Sequence, residues 1–187
     1  MTPQTSELLD RLVIEATSEL LRACRVPVQA TPGLAPIALP RTATVAGIVG
    51  FSGEQMRGTF LIASSFELLA RSRPAALQTP KRVPENERDW VVIRDWAAEL
   101  ANQLLGRVKN RVYAMGITLH VSTPTALSGE ALAVAAPSSP HARAHSFTSR
   151  GEEVWVCLDA TLEPGVDLTQ PRDDGAEAAR EGDVLLF

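Results

Sequence analysis

The residues best suited to chemistry lie at helical spacing in the middle of the chain. They follow one another at intervals of four, three, four and three positions, which places side chains on one face of a helix: Asp95, Glu99, Asn102, Gly106 and Lys109. A carboxylate and a carboxamide one turn apart can hold a partner's polar groups, because an amide both donates and accepts hydrogen bonds. Solvated helix faces are normally polar, so this pattern alone favours an ordinary surface.

Gly106 adds support for a functional interpretation of this face. A glycine in a helix interior costs roughly 1 kcal/mol relative to alanine, and it often has a packing or contact reason. A bare patch beside Asn102 would let the backbone of a partner come close.

These residues require a long helix whose other side is turned to a core. The sequence predicts this helix from Asn86 or Glu87 to about Ala114, with Gly116 ending it. Apolar residues gather on the opposite side of the helical wheel and predict its buried face: Ile93, Ala97, Leu100, Leu104 and Val108. The polar stripe is therefore predicted to face away from the core.

The remaining elements predict an α+β fold. Helices are predicted over residues 5–23 and 66–72, and strands over 43–51 and 57–64 that form a hairpin. Further short strands are predicted after the long helix, over residues 117–122, 131–136, 142–149 and 153–158. Because strands follow one another without helical crossovers, we expect an antiparallel β-sheet with the long helices packed on one face.

Composition and charge limit the classes of partner. The chain has 187 residues, 45% of them hydrophobic, which suffices for one domain with a substantial core. Its net charge of -4 is concentrated in residues 161–187, which hold seven acids and two arginines. The nearly neutral body lacks a dense basic stripe, so nucleic acid is not an expected partner. We predict a flexible acidic tail over 161–187, whose apolar end, residues 184–187, docks as an extra strand or binds a partner.

The cysteines and the chain start favour a soluble, cytoplasmic protein. Cys24 and Cys157 have no C-x-x-C pairing, which fits reduced thiols. The first residues lack the pattern of a secretory signal, and no apolar run approaches the roughly 20 residues needed to cross a bilayer.

Other chemistries have weaker support. His141 and His145 lie four apart, but Pro140 and a β-like context argue against a helical ligand pair, and no third ligand is near in sequence. We therefore predict no metal site. Ser52 and Ser128 precede glycines without a complete G-x-S-x-G elbow, and the chain has no glycine-rich phosphate loop.

The long helix resembles the signature of the CheC/CheX/FliY chemotaxis phosphatases. In that family Asp or Ser precedes Glu-x-x-Asn on a long helix, and a proline follows later; here Asp95, Glu99, Asn102 and Pro124 match. Gly106 and the trailing Pro124, Thr125 and Gly129 are similar to CheX in particular. The segments Ile14–Thr17 and Arg57–Ser64 extend the resemblance to roughly residues 8–160.

The resemblance implies a CheX-like domain over residues 1–160 that acts as a protein-aspartate phosphatase. Its substrate would be a phosphorylated CheY-like receiver domain of a response regulator, in chemotaxis or a related two-component pathway. Asn102 would orient the attacking water, and Glu99 would pair with the receiver's conserved lysine. Asp95, Gly106 and Lys109 would contact this partner. The Mg²⁺ would belong to the receiver, so no cofactor of the chain's own is implied.

Two alternatives to catalysis remain at this point. An adaptor of the same fold would bind receivers or another signalling partner without hydrolysis, and a structural dimerisation module would only assemble. Family resemblance also implies a homodimer joined at sheet edges. Glu15 and Ser18 repeat the spacing of the site on the first helix, but serine lacks the reach of an amide, so we expect one site per chain.

Overall fold

The computed structural model describes residues 2–35, 43–74, 83–129, 132 and 141–168, and in them it contains three helices and seven strands. The helices are α1 (Pro3–Ala23), α2 (Phe66–Ser72) and α3 (Glu87–Tyr113). The strands are β1 (Gln29–Ala30), β2 (Val45–Ser52), β3 (Met56–Ser64), β4 (His120–Val121), β5 (Thr125–Ser128), β6 (Ala142–Ser149) and β7 (Glu152–Leu162).

All seven strands join one antiparallel sheet. Its order is β1-β6-β7-β3-β2, and the far side of β2 pairs with both β4 and β5. Strand β4 meets one end of β2, where Phe51 lies opposite Val121, and β5 meets the other end, where Val45 lies opposite Ser128. The predicted α+β class with an antiparallel sheet is confirmed.

Local sequence explains where α3 begins and ends. The side chain of Asn86 caps the helix by accepting a hydrogen bond from the backbone N–H of Asp89 at 3.2 Å. At the other end, Gly116 has a positive φ of 80°, a left-handed conformation that glycine adopts readily and that commonly ends a helix. The predicted bounds of this helix therefore agree with the observed ones.

The main hydrophobic core lies between one face of the sheet and the helices. Buried residues of α1, α2 and α3 pack there against alternate residues of the central strands. The α3 contribution includes all five residues predicted for its buried face, namely Ile93, Ala97, Leu100, Leu104 and Val108. The prediction of long helices on one face is confirmed.

Gly47 sets how closely α3 approaches the sheet. A Cβ atom at this position of β2 would lie 2.0 Å from the carbonyl oxygen of Ala97. Because only a residue without a side chain fits there, the backbone of α3 rests directly on β2. The contact fixes which side of α3 faces the sheet, and so which side faces outward.

The opposite face of the sheet carries a second, smaller cluster of mostly small residues. Its buried members are Ala43, Ala46, Leu61, Ala63, Ala142, Ala144, Trp155 and Cys157. Within the described residues, no helix is both long and apolar enough to cross a membrane.

Several predicted elements differ in length or lie outside the described residues. The strand predicted over 117–122 is reduced to His120–Val121, and β5 was not predicted. Apart from Leu132, the strand predicted over 131–136 lies outside the described residues.

The boundary between body and tail, placed at residue 160 from sequence, stays a prediction. Strand β7 continues to Leu162, and Leu168 joins the main core with 3% of its surface exposed. Residues 169–187, including the apolar end, lie outside the described residues.

Candidate functional site

The predicted polar stripe lies on the side of α3 that faces away from the sheet. Asp95 and Glu99 are exposed, whereas Asn102, Gly106 and Lys109 are half-buried. The stripe is thus accessible along its length, although less so in its C-terminal half than the sequence pattern predicted.

Polar contacts hold α3 in place from three neighbouring elements. Arg94 donates hydrogen bonds to Ser128 of β5 at 3.3 Å and to Glu87 at 2.7 Å. The Arg111 guanidinium pairs with Glu19 of α1 at 2.6 Å. The indole N–H of Trp96 donates a hydrogen bond to the Ser72 hydroxyl of α2 at 2.8 Å. With both flanks fixed, the outward side chains of α3 are displayed on a rigid support.

The Glu99 carboxylate has one local partner. The side-chain amide of Gln103, one turn further along α3, donates a hydrogen bond to Glu99 Oε1 at 2.7 Å. Among the described residues, Glu99 Oε2 accepts no hydrogen bond from protein. One carboxylate oxygen is therefore left to receive a donor from a partner.

The Asn102 side chain makes no hydrogen bond within the described part of the chain. It lies three residues after Glu99, so the two side chains are neighbours on the surface of α3. A half-buried amide without a partner keeps both its donor and its acceptor for a ligand or a water molecule. The pair can therefore offer a negative charge and an amide at one place.

Gly106 faces open space. A Cβ atom built there has no atom within 4 Å outside its own helix turn, so internal packing gives no reason for glycine. A bare backbone at Gly106 leaves room for a partner, and its role in binding one stays a prediction.

Sequence reasoning missed three residues on this side of the helix. Gln103 was not singled out, although its spacing of four from Glu99 is the distance at which helix side chains pair. Val91 and Val92 are 41% and 37% exposed, at the N-terminal end of the same face. Val92 lies seven residues before Glu99, about 10 Å along the helix axis. These two valines add exposed apolar area beside the polar side chains.

His145 belongs to a buried polar cluster rather than to a ligand pair with His141. On β6 it is 2% exposed, and its Nε2 lies 3.0 Å from Asp10 Oδ1 of α1, which also binds Arg143. Burial lowers the pKa of His145 more than the neighbouring carboxylate raises it. Among the described residues, no group of three or more His, Cys, Asp or Glu side chains is arranged to hold a metal ion.

The other candidates show no feature of a reactive site. Glu15 is exposed and Ser18 half-buried on α1. Both cysteines are free thiols, and burial raises the pKa of Cys24 and takes that of Cys157 to about 11. A thiol with a raised pKa is a poor nucleophile near neutral pH.

Solved structures of chemotaxis proteins share this fold. A CheC-like superfamily protein from Shewanella sp. PV-4 superposes with a TM-score of 0.70 at 19% identity, covering 86% of this chain and 99% of that one. CheX from Vibrio vulnificus gives 0.65 at 17% identity, with coverage of 80% and 97%. The CheX–CheY–BeF3–Mg²⁺ complex from Borrelia burgdorferi gives 0.64 at 19% identity, with coverage of 80% and 96%.

Sequence comparison places the chain in a family. No curated protein shows significant sequence similarity to it. The family model described as chemotaxis phosphatase CheX, however, matches residues 45–148, more than half of the chain and all of α3. The match therefore spans the hairpin that supports α3 as well as Glu99 and Asn102. The chain belongs to the CheX family of chemotaxis phosphatases.

Proposed function

We propose that this protein dephosphorylates a phosphorylated CheY-like receiver domain, with Asn102 positioning the attacking water and Glu99 pairing with the receiver's lysine. One observation carries the proposal: Glu99 and Asn102 are neighbours on the outward side of α3, with a carboxylate oxygen and an amide that have no partner among the described residues. A similar fold bound to CheY with BeF3 and Mg²⁺ in the Borrelia burgdorferi complex supports a receiver as the partner.

Hydrolysis of an aspartyl phosphate requires groups of the kind that Glu99 and Asn102 provide. Phosphoryl transfer passes through a loose transition state, so the protein contributes mainly positioning and charge stabilisation. An amide can hold a water with a lone pair turned towards phosphorus, whereas a second carboxylate there would repel the anionic phosphoryl group. The Mg²⁺ that neutralises this group belongs to the phosphorylated receiver, which is the substrate.

The surrounding surface of α3 would complete the docking site. Asp95 and Lys109 would contact the receiver at either end of the polar stripe, and Gly106 would let its backbone approach beside Asn102. The exposed Val91 and Val92 add apolar area at the N-terminal end of α3. Burying each valine against a receiver would contribute up to about 1.5 kcal/mol.

The test uses receivers encoded in the same genome, phosphorylated with acetyl phosphate and Mg²⁺. Decay of the phosphorylated receiver is followed with wild-type protein, Asn102→Ala and the control Gln4→Ala. Gln4 is an exposed carboxamide in the first turn of α1, outside the polar stripe of α3. We expect Asn102→Ala to lower kcat about a hundredfold, as the loss of a positioning group does, and the control to match wild type. Equal decay with and without wild-type protein, for every receiver, would exclude the proposal.

One observation favours a second candidate, an adaptor that binds receivers without hydrolysis. Asn102 is half-buried, which shortens the reach of its amide into a partner's active site. An adaptor would bind the beryllofluoride form of a receiver with the same affinity in wild type and Asn102→Ala, and neither form would accelerate dephosphorylation. Measuring both binding and dephosphorylation with these two proteins therefore separates the two functions.

We also propose a homodimer in the cytoplasm, where receivers and free thiols such as Cys24 and Cys157 are found. Joining through sheet edges is open to this fold, because within the described residues β1 stands at one end of the sheet and pairs on one side only, with β6. Light scattering would show a mass of about twice 20.1 kDa; a monomer at micromolar concentration would count against the dimer.

A further inference from the structure

The partner of Glu99 is neutral, although cations are close by on the same helix. The side-chain amide of Gln103 reaches Glu99 Oε1 at 2.7 Å. Arg107 and Arg111, the next cationic side chains on this flank of α3, turn instead to Glu19 of α1, at 3.8 and 2.6 Å. Among the described residues Glu99 therefore has no cationic partner, and its carboxylate is held at one oxygen.

Gln103 and Asn102 lie on opposite sides of Glu99. At about 100° per residue, Asn102 is about 60° to one side of Glu99 around the helix, and Gln103 about 40° to the other. A glutamate and an asparagine three residues apart can hydrogen-bond each other. Such a bond would occupy both groups that the proposed reaction needs. The bond from Gln103 draws the carboxylate away from Asn102, and the Asn102 amide makes no hydrogen bond among the described residues.

We propose that Gln103 is a positioning residue that holds Glu99 ready for the receiver's lysine and keeps the Asn102 amide free. The inference rests on the proposed phosphatase function and extends it to a residue that touches neither the phosphoryl group nor the water. It also explains why the residue is an amide. A lysine four residues after a glutamate would be a better helix pair, but its charge would neutralise Glu99 and repel the incoming lysine.

The two substitutions at this position have different expected signatures. Gln103→Ala frees Glu99 to bond Asn102, so kcat falls and KM rises, each about twofold, as expected for loss of a solvent-exposed helix pair. Gln103→Lys still holds Glu99 away from Asn102, so kcat is unchanged, while KM rises about two- to fivefold because the carboxylate is already paired. The control Gln4→Lys makes the same change at an exposed glutamine on α1, outside the docking face, and should leave both constants unchanged.

The experiment measures kcat, KM and thermal stability of these variants in full-length protein, on receivers phosphorylated with acetyl phosphate. A role limited to helix stability predicts that Gln103→Lys, the better helix pair, is at least as stable as wild type and has an unchanged KM. If wild type is active and Asn102→Ala is not, but Gln103→Lys keeps the wild-type KM, the positioning role is refuted and the proposed function stands. If wild type accelerates the decay of no receiver, both fall together.

The hydrogen bond can be tested without any receiver. In ¹⁵N-labelled protein, Glu99→Ala should move the Gln103 side-chain amide resonances towards the values of a solvated glutamine, and Asp95→Ala should leave them in place. Unchanged Gln103 resonances in Glu99→Ala would refute the inference whatever the kinetics show.

Discussion

The substitution Gly47→Ala tests whether the position of α3 controls activity. The added Cβ atom would lie 2.0 Å from the carbonyl oxygen of Ala97 and 2.5 Å from its carbonyl carbon. Side-chain Cβ atoms essentially never approach other atoms within 3.0 Å, so β2 and α3 must separate by about 1 Å. The atoms in the way belong to backbone within a helix, which cannot rotate aside as a side chain does.

The expected cost has a structural part and a catalytic part. Forcing extra volume into a packed interface typically destabilises a protein by about 1–3 kcal/mol. A shift of about 1 Å in a catalytic group can cost about a hundredfold in rate. We therefore expect Gly47→Ala to lower both the free energy of unfolding and the rate of receiver dephosphorylation, even though Gly47 is buried beneath the helix and never meets the receiver.

Urea denaturation and the dephosphorylation assay, each at a temperature where the variant is fully folded, measure the two parts separately. Gly106→Ala is the matched control for stability, because it makes the same change in α3 where a Cβ atom meets nothing within 4 Å. A Gly47→Ala protein that is as stable and as active as wild type would refute the close contact between β2 and α3.

Three further predictions concern other parts of the molecule. Gly106→Ala should stabilise the protein by about 0.5–1 kcal/mol in urea denaturation, because alanine is the better helix former. The same substitution should raise KM for the phosphorylated receiver. A KM equal to that of wild type would show that Gly106 is not part of the docking surface. Val92→Ser should raise KM several-fold with kcat unchanged, and an unchanged KM would show that the receiver does not reach the N-terminal end of α3. Burial lowers the pKa of His145, so its imidazole takes up a proton more readily in the unfolded state than in the folded state. The free energy of unfolding should therefore decline as the pH falls below about 6.5. In His145→Phe this part of the pH dependence of unfolding should vanish, and a slope identical to wild type would assign it to other groups.

The sequence predicted the elements whose signals are local. The bounds of α3 follow from the Asn86 cap and from Gly116, and its buried face follows from the periodicity of its apolar residues. The glutamate and asparagine of the candidate site are part of this same pattern, so their placement on the outward side was predictable too.

Features that depend on distant partners were not predictable. Strands β1 and β5 have two and four residues, and they are strands only because β6 and β2 offer them backbone partners. The cluster of Asp10, Arg143 and His145 joins α1 to β6 across more than 130 positions of sequence. The half-burial of Asn102 likewise depends on how α3 sits in the fold, which a helical wheel does not contain.

The anchoring of α3 on β2, β5, α1 and α2 has a consequence for how such proteins could change partners. Residues that hold the helix and residues proposed to meet a receiver are different sets: the first lie on the inward side and the flanks of α3, the second on its outward side. If the proposed docking face is right, substitutions at outward positions such as Val91 or Val92 would change which receiver is preferred without weakening the contacts that hold α3. Evolution, or a protein engineer, could change signalling specificity by altering a few outward side chains of α3.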